Sequence, residues 1–264
     1  MHFFIVYFAL GAIGGFLSGL LGIGGALVMI PLMLAVPPLA GLERISMQAV
    51  SGLSMVQAMF ASLSGVLLHY RYSSVNIPLL WIAGISMCAA SLAGAVASCL
   101  VSETALMTVF GVMLLFAGAM MFLPAPAASA QGHDAQDVSF RFVHAVLAGL
   151  GVGLVAGLVG AGGGFVLIPV LIYGLRIPVK VAIGTSLGIV LLGSVAGAVG
   201  KIATNQVHAP AAAALVAGSI IFAGFGAKVS QKTSAKSLRY LLALIVLVSA
   251  VQIWSAIFLR LLNQ

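Results

Sequence analysis

Apolar residues fill this chain in long runs. Eight stretches, roughly 3–36, 45–68, 77–101, 104–123, 142–174, 181–200, 209–227 and 238–259, are separated by short polar breaks. A run of about 18 or more apolar residues can cross about 30 Å of hydrocarbon as a helix. In that medium every backbone amide must be paired within the segment, so the pattern predicts an all-α polytopic membrane protein. Two stretches have the wrong length for this scheme. Residues 3–36 would form a helix about 51 Å long at 1.5 Å per residue, whereas two full crossings need about 40 residues. Glycines at 22–25 and at 160–164 interrupt these two stretches. Each interruption predicts a broken helical hairpin with one leg near full length and one shorter leg, ending near Pro37-Pro38 or running through Pro169. The count of crossings is then eight to ten.

The interruptions belong to an internal repeat. Gly19-Leu-Leu-Gly22-Ile-Gly24-Gly25-Ala-Leu-Val-Met-Ile-Pro31 returns, at an offset of 138, as Gly157-Leu-Val-Gly160-Ala-Gly162-Gly163-Gly164-Phe-Val-Leu-Ile-Pro169. Further on the offset is 132: Gly52-Leu-Ser54-Met answers Gly184-Thr-Ser186-Leu, Pro78 answers Pro210, and Gly94-Ala95 answers Gly226-Ala227. The reading is two homologous halves, 1–123 and 142–264, each of about four apolar segments, joined by a polar linker at 124–141. Before each glycine run, glycines recur every fourth residue, at Gly11, Gly15 and Gly19 and at Gly149, Gly153 and Gly157. Such GxxxG faces let neighbouring helices pack backbone to backbone in lipid.

Composition agrees with the pattern: 62% of residues are hydrophobic and 6% charged, where soluble domains average about 45–50% and 25%. Met1-His2 supplies no basic n-region and the apolar run is too long for a signal-peptide core, so the first segment is expected to remain in the protein. Cys88 and Cys99 have neither zinc-site nor CxxC spacing and read as small packing residues. Lys and Arg are distributed more unevenly between the two sides when both glycine segments are treated as hairpins. That favours five crossings per half, hence inverted repeats, with both termini outside and the loop of Lys228, Lys232, Lys236 and Arg239 in the cytoplasm. Localisation is expected in the cell (inner) membrane.

A helix broken inside a membrane exposes unpaired amides, so the breaks must face protein or a wet cavity. Gly-interrupted segments at matching positions of two repeats point to a transporter's binding site. Bare N–H groups and the positive end of a helix dipole form an anion cradle without a charged side chain. The candidate substrate-binding residues are therefore Gly22, Gly24, Gly25, Gly160, Gly162, Gly163 and Gly164, with the side chains of Ser54, Gln57, Thr185 and Ser186. Ser51, Ser62, Ser64 and Ser194 are further neutral polar residues in the same stretches, and helix-to-helix hydrogen bonding is the alternative role for all these hydroxyls. The four acidic residues, Glu43, Glu103, Asp134 and Asp137, fall in loops or at segment ends, so no buried carboxylate relay is visible. His69, Arg71 and Lys201 lie at stretch ends and read as interfacial, snorkelling side chains or as charges drawing anions into a vestibule. Gly184-Thr-Ser186-Leu-Gly188 matches GxSxG, but without a strand-turn-helix context or an acid it does not predict a hydrolase. No strand precedes the glycine runs to make them dinucleotide sites. No enzyme activity, metal or cofactor is expected.

The duplicated glycine run, the Pro that closes it and the Gly184-Thr185-Ser186-Leu187 segment resemble the TauE/SafE family of sulfite and organosulfur anion exporters. The resemblance spans both halves. It implies export of sulfite, sulfoacetate, other sulfonates or related small anions across the bacterial cytoplasmic membrane. The first half departs from the pattern, with Ala26 in place of the last glycine and Ser51-Gly52-Leu53-Ser54 in place of Gly-Thr-Ser, which places more weight on the second half. Expected partners are a small anionic substrate and the lipid bilayer, not nucleic acid, and a homodimer is compatible with the sequence. Two alternatives remain at this point: an accessory or scaffold subunit whose GxxxG faces bind partner helices, and a transporter of a different small anion or metabolite.

Overall fold

A computed structural model describes residues 2–21, 25–71, 75–122, 138 and 140–262. The described residues form ten α-helices and no strand: α1 (His2–Leu21), α2 (Ala26–Leu39), α3 (Met47–Arg71), α4 (Ile77–Ala97), α5 (Glu103–Phe122), α6 (Phe142–Val159), α7 (Gly164–Pro169), α8 (Val179–Ala203), α9 (Ala209–Lys232) and α10 (Ala235–Leu262). Ser98–Leu100 adds a 3-10 turn after α4, and Val170–Gly174 a π-helical turn after α7. The protein is an all-α polytopic membrane protein: seven described helices are long and apolar enough to cross a bilayer. Most of the expected linker lies outside the described residues.

Each glycine-interrupted stretch is divided into a long helix and a shorter one, α1 with α2 and α6 with α7. Pro31 lies inside α2 and has no N–H for the Leu27 carbonyl one turn back. Ser249 of α10 supplies the donor, its Oγ lying 3.2 Å from Leu27 O. Gln252 Nε2 donates to Pro31 O from the same face of α10. In the second half Pro169 ends the α-helical part of the short leg after six residues, and the backbone widens into the π turn.

Glycine faces set the packing. Gly11, Gly15 and Gly19 of α1 abut the backbone at Leu215, Ser219 and Ala223 of α9, in that order, so the two helices run parallel. Gly149, Gly153 and Gly157 of α6 abut Ala83, Met87 and Ser91 of α4 in the same manner. The offsets of 138 and 132 convert one set of contacts into the other, residue for residue. They do so again for Gly226, which meets Phe16 and Leu20, and Gly94, which meets Leu154 and Leu158. The first helix of each half therefore packs on the fourth helix of the other.

Direction along the remaining helices follows from similar contacts. Gly193, Gly197 and Gly200 of α8 approach Met87, Ser91 and Ala95 of α4, a parallel pair. Between α3 and α8, Gly65 meets Leu187 while Gly197 meets Met55, so these two helices, matched at offset 132, are antiparallel. Of the apolar spans α8 is the most enclosed, with 83% of its apolar window buried against 33–50% for the others. The other faces expose Trp81, Ile85, Leu147, Leu247, Val251 and Phe258, the surface expected where the solvent is lipid. Cys99 is exposed and Cys88 half-buried. Cys99 is thus not the packing residue expected from sequence, because it points outward at the end of α4, where its thiol donates to Val96 O.

Candidate functional site

Each break depends on backbone that side chains disfavour. Gly25 (φ 78°), Gly160 (φ 76°), Gly162 (φ 61°) and Gly163 (φ 74°) all occupy the left-handed region, which glycine adopts without strain. Gly160 ends α6, with its N–H and that of Ala161 both donating to Ala156 O. Gly163 starts α7, its carbonyl accepting from Val166 and Leu167 N–H. Gly25 starts α2 and accepts from Val28 and Met29 N–H. Gly22 and Gly24, also expected in the site, lie outside the described residues.

The two breaks meet the same stretch of α3. Ser54 Oγ donates to Gly160 O at 2.8 Å and to Ser51 O at 3.1 Å. A methyl on Gly160 would collide with the Ser51 carbonyl, and one on Gly162 would lie 3.1 Å from Ala58 Cβ. On the other side, a methyl on Gly25 would lie 2.7 Å from Gln57 Nε2 and 2.6 Å from Gly14 O. Ser54 and Gln57 are three residues apart, neighbours about 5–6 Å apart on a helix surface. One turn of α3 thus bridges a break from each half.

Hydrogen bonding divides the candidate side chains. Thr185 Oγ1 accepts from Asn76 N at 2.9 Å, holding the start of α4, and Asn76 Oδ1 in turn caps Leu79 N. Ser186 Oγ donates to Ile183 O within α8. Gln57 is fully buried, yet among the described residues neither Oε1 nor Nε2 has a partner. Ser18, Ser51 and Ser62 have unpartnered, buried hydroxyls as well. Ser18 lies one turn beyond Gly14 on α1, and Ser62 lies between Gln57 and Gly65, the α3 residues that face Gly14 and Gly19. Burying a polar group without a partner costs about 1–3 kcal/mol. Gln57, Ser18 and Ser62 follow the α1–α3 seam, whereas Ser51 faces Gly160. Sequence reading had not singled out Ser18, and the signal for it is a hydroxyl in register with Gly14 on a helix otherwise built of glycine and apolar residues.

The second break is lined differently. Gly163 faces Ala156, Met87 and Val152, each 2.9 Å from an added methyl, and Gly164 is itself the first, buried residue of α7. A separate cleft of about 730 Å³ opens between α5 and α6, walled by Val112, Phe116, Leu147 and Val152 with Thr108 and His144 as polar members. Its lining is largely apolar.

Lys201 departs from the sequence reading. It is fully buried, not interfacial, because residues after α8 fold back and place Gln206 over it. The side chains of His69 and Arg71 lie outside the described residues.

Comparison with known proteins agrees on the kind of molecule. The chain is 26% identical over 270 residues to a probable membrane transporter protein, YunE, of Bacillus subtilis, covering 97% of this chain and 99% of that one. It is 28% identical over 253 residues to a probable membrane transporter protein of Methanocaldococcus jannaschii, covering 89% and 90%. A third relative bearing the same description, from Haemophilus influenzae, is 23% identical over 270 residues, covering 96% and 98%. No solved structure matches. The family described as Sulfite exporter TauE/SafE matches residues 7–253, and the chain belongs to that family.

Proposed function

We propose that this membrane protein is a secondary transporter or facilitator of small anions of the sulfite or sulfonate class, binding them between the two glycine breaks. The observation that carries this reading is Gln57: a fully buried amide, unpartnered among the described residues, against Gly25 at the start of α2. An amide N–H₂, nearby serine hydroxyls and a helix N-terminus give donors to an oxyanion without a cation that would trap it. Within that site Gln57 is the side chain we assign to binding, since Ser54, Thr185 and Ser186 are held by internal hydrogen bonds while Gln57 has no partner among the described residues. Antiparallel α3 and α8 support inverted repeats over 1–123 and 142–264, with ten segments counting the short legs and both termini on the outer face of the cell membrane.

The scaffold alternative loses its basis in this packing. Both GxxxG faces are covered within the chain, by α9 and by α4.

The test is flux through proteoliposomes, with sulfite, thiosulfate and sulfoacetate compared against a carboxylate control. Saturable flux of one sulfur oxyanion, abolished in Gln57→Leu, is the expected result. No saturable flux of any anion would overturn the transport reading, and equal flux in Gln57→Leu would remove Gln57 from the site. Sodium and pH gradients across the same vesicles identify the coupling ion.

A further inference from the structure

Lys201 lies outside the site proposed above. Its side chain is fully enclosed, and Nζ donates to Ser98 Oγ at 2.6 Å, Leu158 O at 3.1 Å and Gln206 Oε1 at 3.1 Å. Three N–H donors meet three acceptors, and every acceptor is neutral. The one ion pair among the described residues, Arg260 with Glu103, is elsewhere. An isolated buried charge is very costly, so the ammonium form persists only where its surroundings balance it.

Helix ends supply the balance. Ser98 is the C-cap of α4, Leu158 lies in the last turn of α6, and Lys201 itself lies in the last turn of α8. These three helices run parallel, so their C-terminal ends converge, each carrying about half a negative charge. Leu158 O belongs to the last four carbonyls of α6, which have no partner within the helix. Ser98 Oγ also donates to Ala95 O in α4, and Gln206 Nε2 to Ser98 Oγ and Thr204 Oγ1. The result is a closed cage of oxygens at negative dipole ends. Half-helix C-termini and free carbonyls are the groups that coordinate alkali cations in transporters.

We propose that this cage is a monovalent-cation site occupied by the protein's own ammonium. Lys201 is a tethered cation that joins the ends of α4, α6 and α8 two residues before the break at Gly160, and free sodium takes its place when the side chain is shortened. The protein accordingly needs no sodium at this position.

The experiment compares unfolding midpoints of the purified full chain in choline and in sodium buffers, for wild type, Lys201→Ala, Lys201→Ser and Lys201→Met. All are expressed and purified with sodium present. Wild type is expected not to respond to the exchange. Lys201→Ala and Lys201→Ser should unfold earlier in choline and regain about 3–6 °C in sodium, the size expected for an ion at ten times its dissociation constant. Lys201→Met fills the cage with an apolar chain and should be destabilised in both buffers. A Lys201→Met protein as stable as wild type overturns the proposal, as does an alanine or serine variant indifferent to sodium. Failure of both shortened variants to fold with sodium present counts against it equally, because the cage then accepts no free cation. The midpoint is read without substrate, so the outcome does not depend on which anion is transported.

Discussion

Ser54 Oγ lies 2.8 Å from Gly160 O, a hydrogen bond that spans 106 positions of sequence and fastens α3 to the break between α6 and α7. Ser186, its counterpart at offset 132, donates to Ile183 O as Ser54 does to Ser51 O, each three residues back in its own helix. Ser54→Ala leaves a buried carbonyl short of a donor at a helix end, a loss of about 1–3 kcal/mol. The expected result is a lower unfolding midpoint in detergent and slower transport. An unchanged midpoint in Ser54→Ala would show that the bond to Gly160 has no special weight.

Gln57→Leu tests whether the buried amide is kept for binding. Replacing an unpartnered polar side chain with an apolar one of similar size should raise the unfolding midpoint of the empty protein, by about 2–4 °C per kcal/mol recovered. The same change should remove saturable flux. Gain of stability with loss of activity is the signature of a site residue. A drop in midpoint would instead mean that the amide stabilises the fold.

Glycine positions differ sharply in what an added methyl meets. Gly19→Ala drives a methyl into Ala223 O, and Gly157→Ala drives one into Ser91 O. Backbone cannot yield as a side chain would, so each change should separate a helix pair and reduce the fraction of monodisperse protein after mild heating. Gly151, on the same helix as Gly157, has nothing within 4 Å. Gly151→Ala should be neutral or stabilising by up to about 1 kcal/mol through helix propensity. Equal behaviour of Gly151 and Gly157 variants would refute close backbone packing.

Ser249 and Pro31 form a pair that a double-mutant cycle can resolve. Ser249→Ala strands the Leu27 carbonyl and should cost about 1 kcal/mol. Pro31→Ala restores an N–H within α2, so adding Ser249→Ala to it should cost little. The readout is the midpoint of the four proteins, and strict additivity would show that Ser249 is not a substitute donor.

Leg lengths made the broken hairpins legible, since 34 apolar residues fit neither one crossing nor two. The spacing of Gly11, Gly15 and Gly19 marked a packing face, but periodicity identifies a face and not its partner, and nothing local points to α9. Hydroxyls in apolar helices stood out equally in sequence. Whether each was free depended on groups far along the chain, such as the Asn76 N–H that engages Thr185 from 109 positions away. Lys201 looked interfacial because it ends an apolar stretch. Its burial depends on the turn at 204–208 bringing Gln206 back within 3.1 Å of Nζ, which hydropathy alone does not encode.

The crossed pairing of α1 with α9 and of α6 with α4 constrains biogenesis. The glycine face of α1 leaves the ribosome about 190 residues before its partner α9, a delay on the order of ten seconds or more at about 5–20 residues per second. Throughout that interval the face must wait in the bilayer or in the insertion machinery, uncommitted. Neither half can complete its own packing, so separately expressed halves should associate with each other.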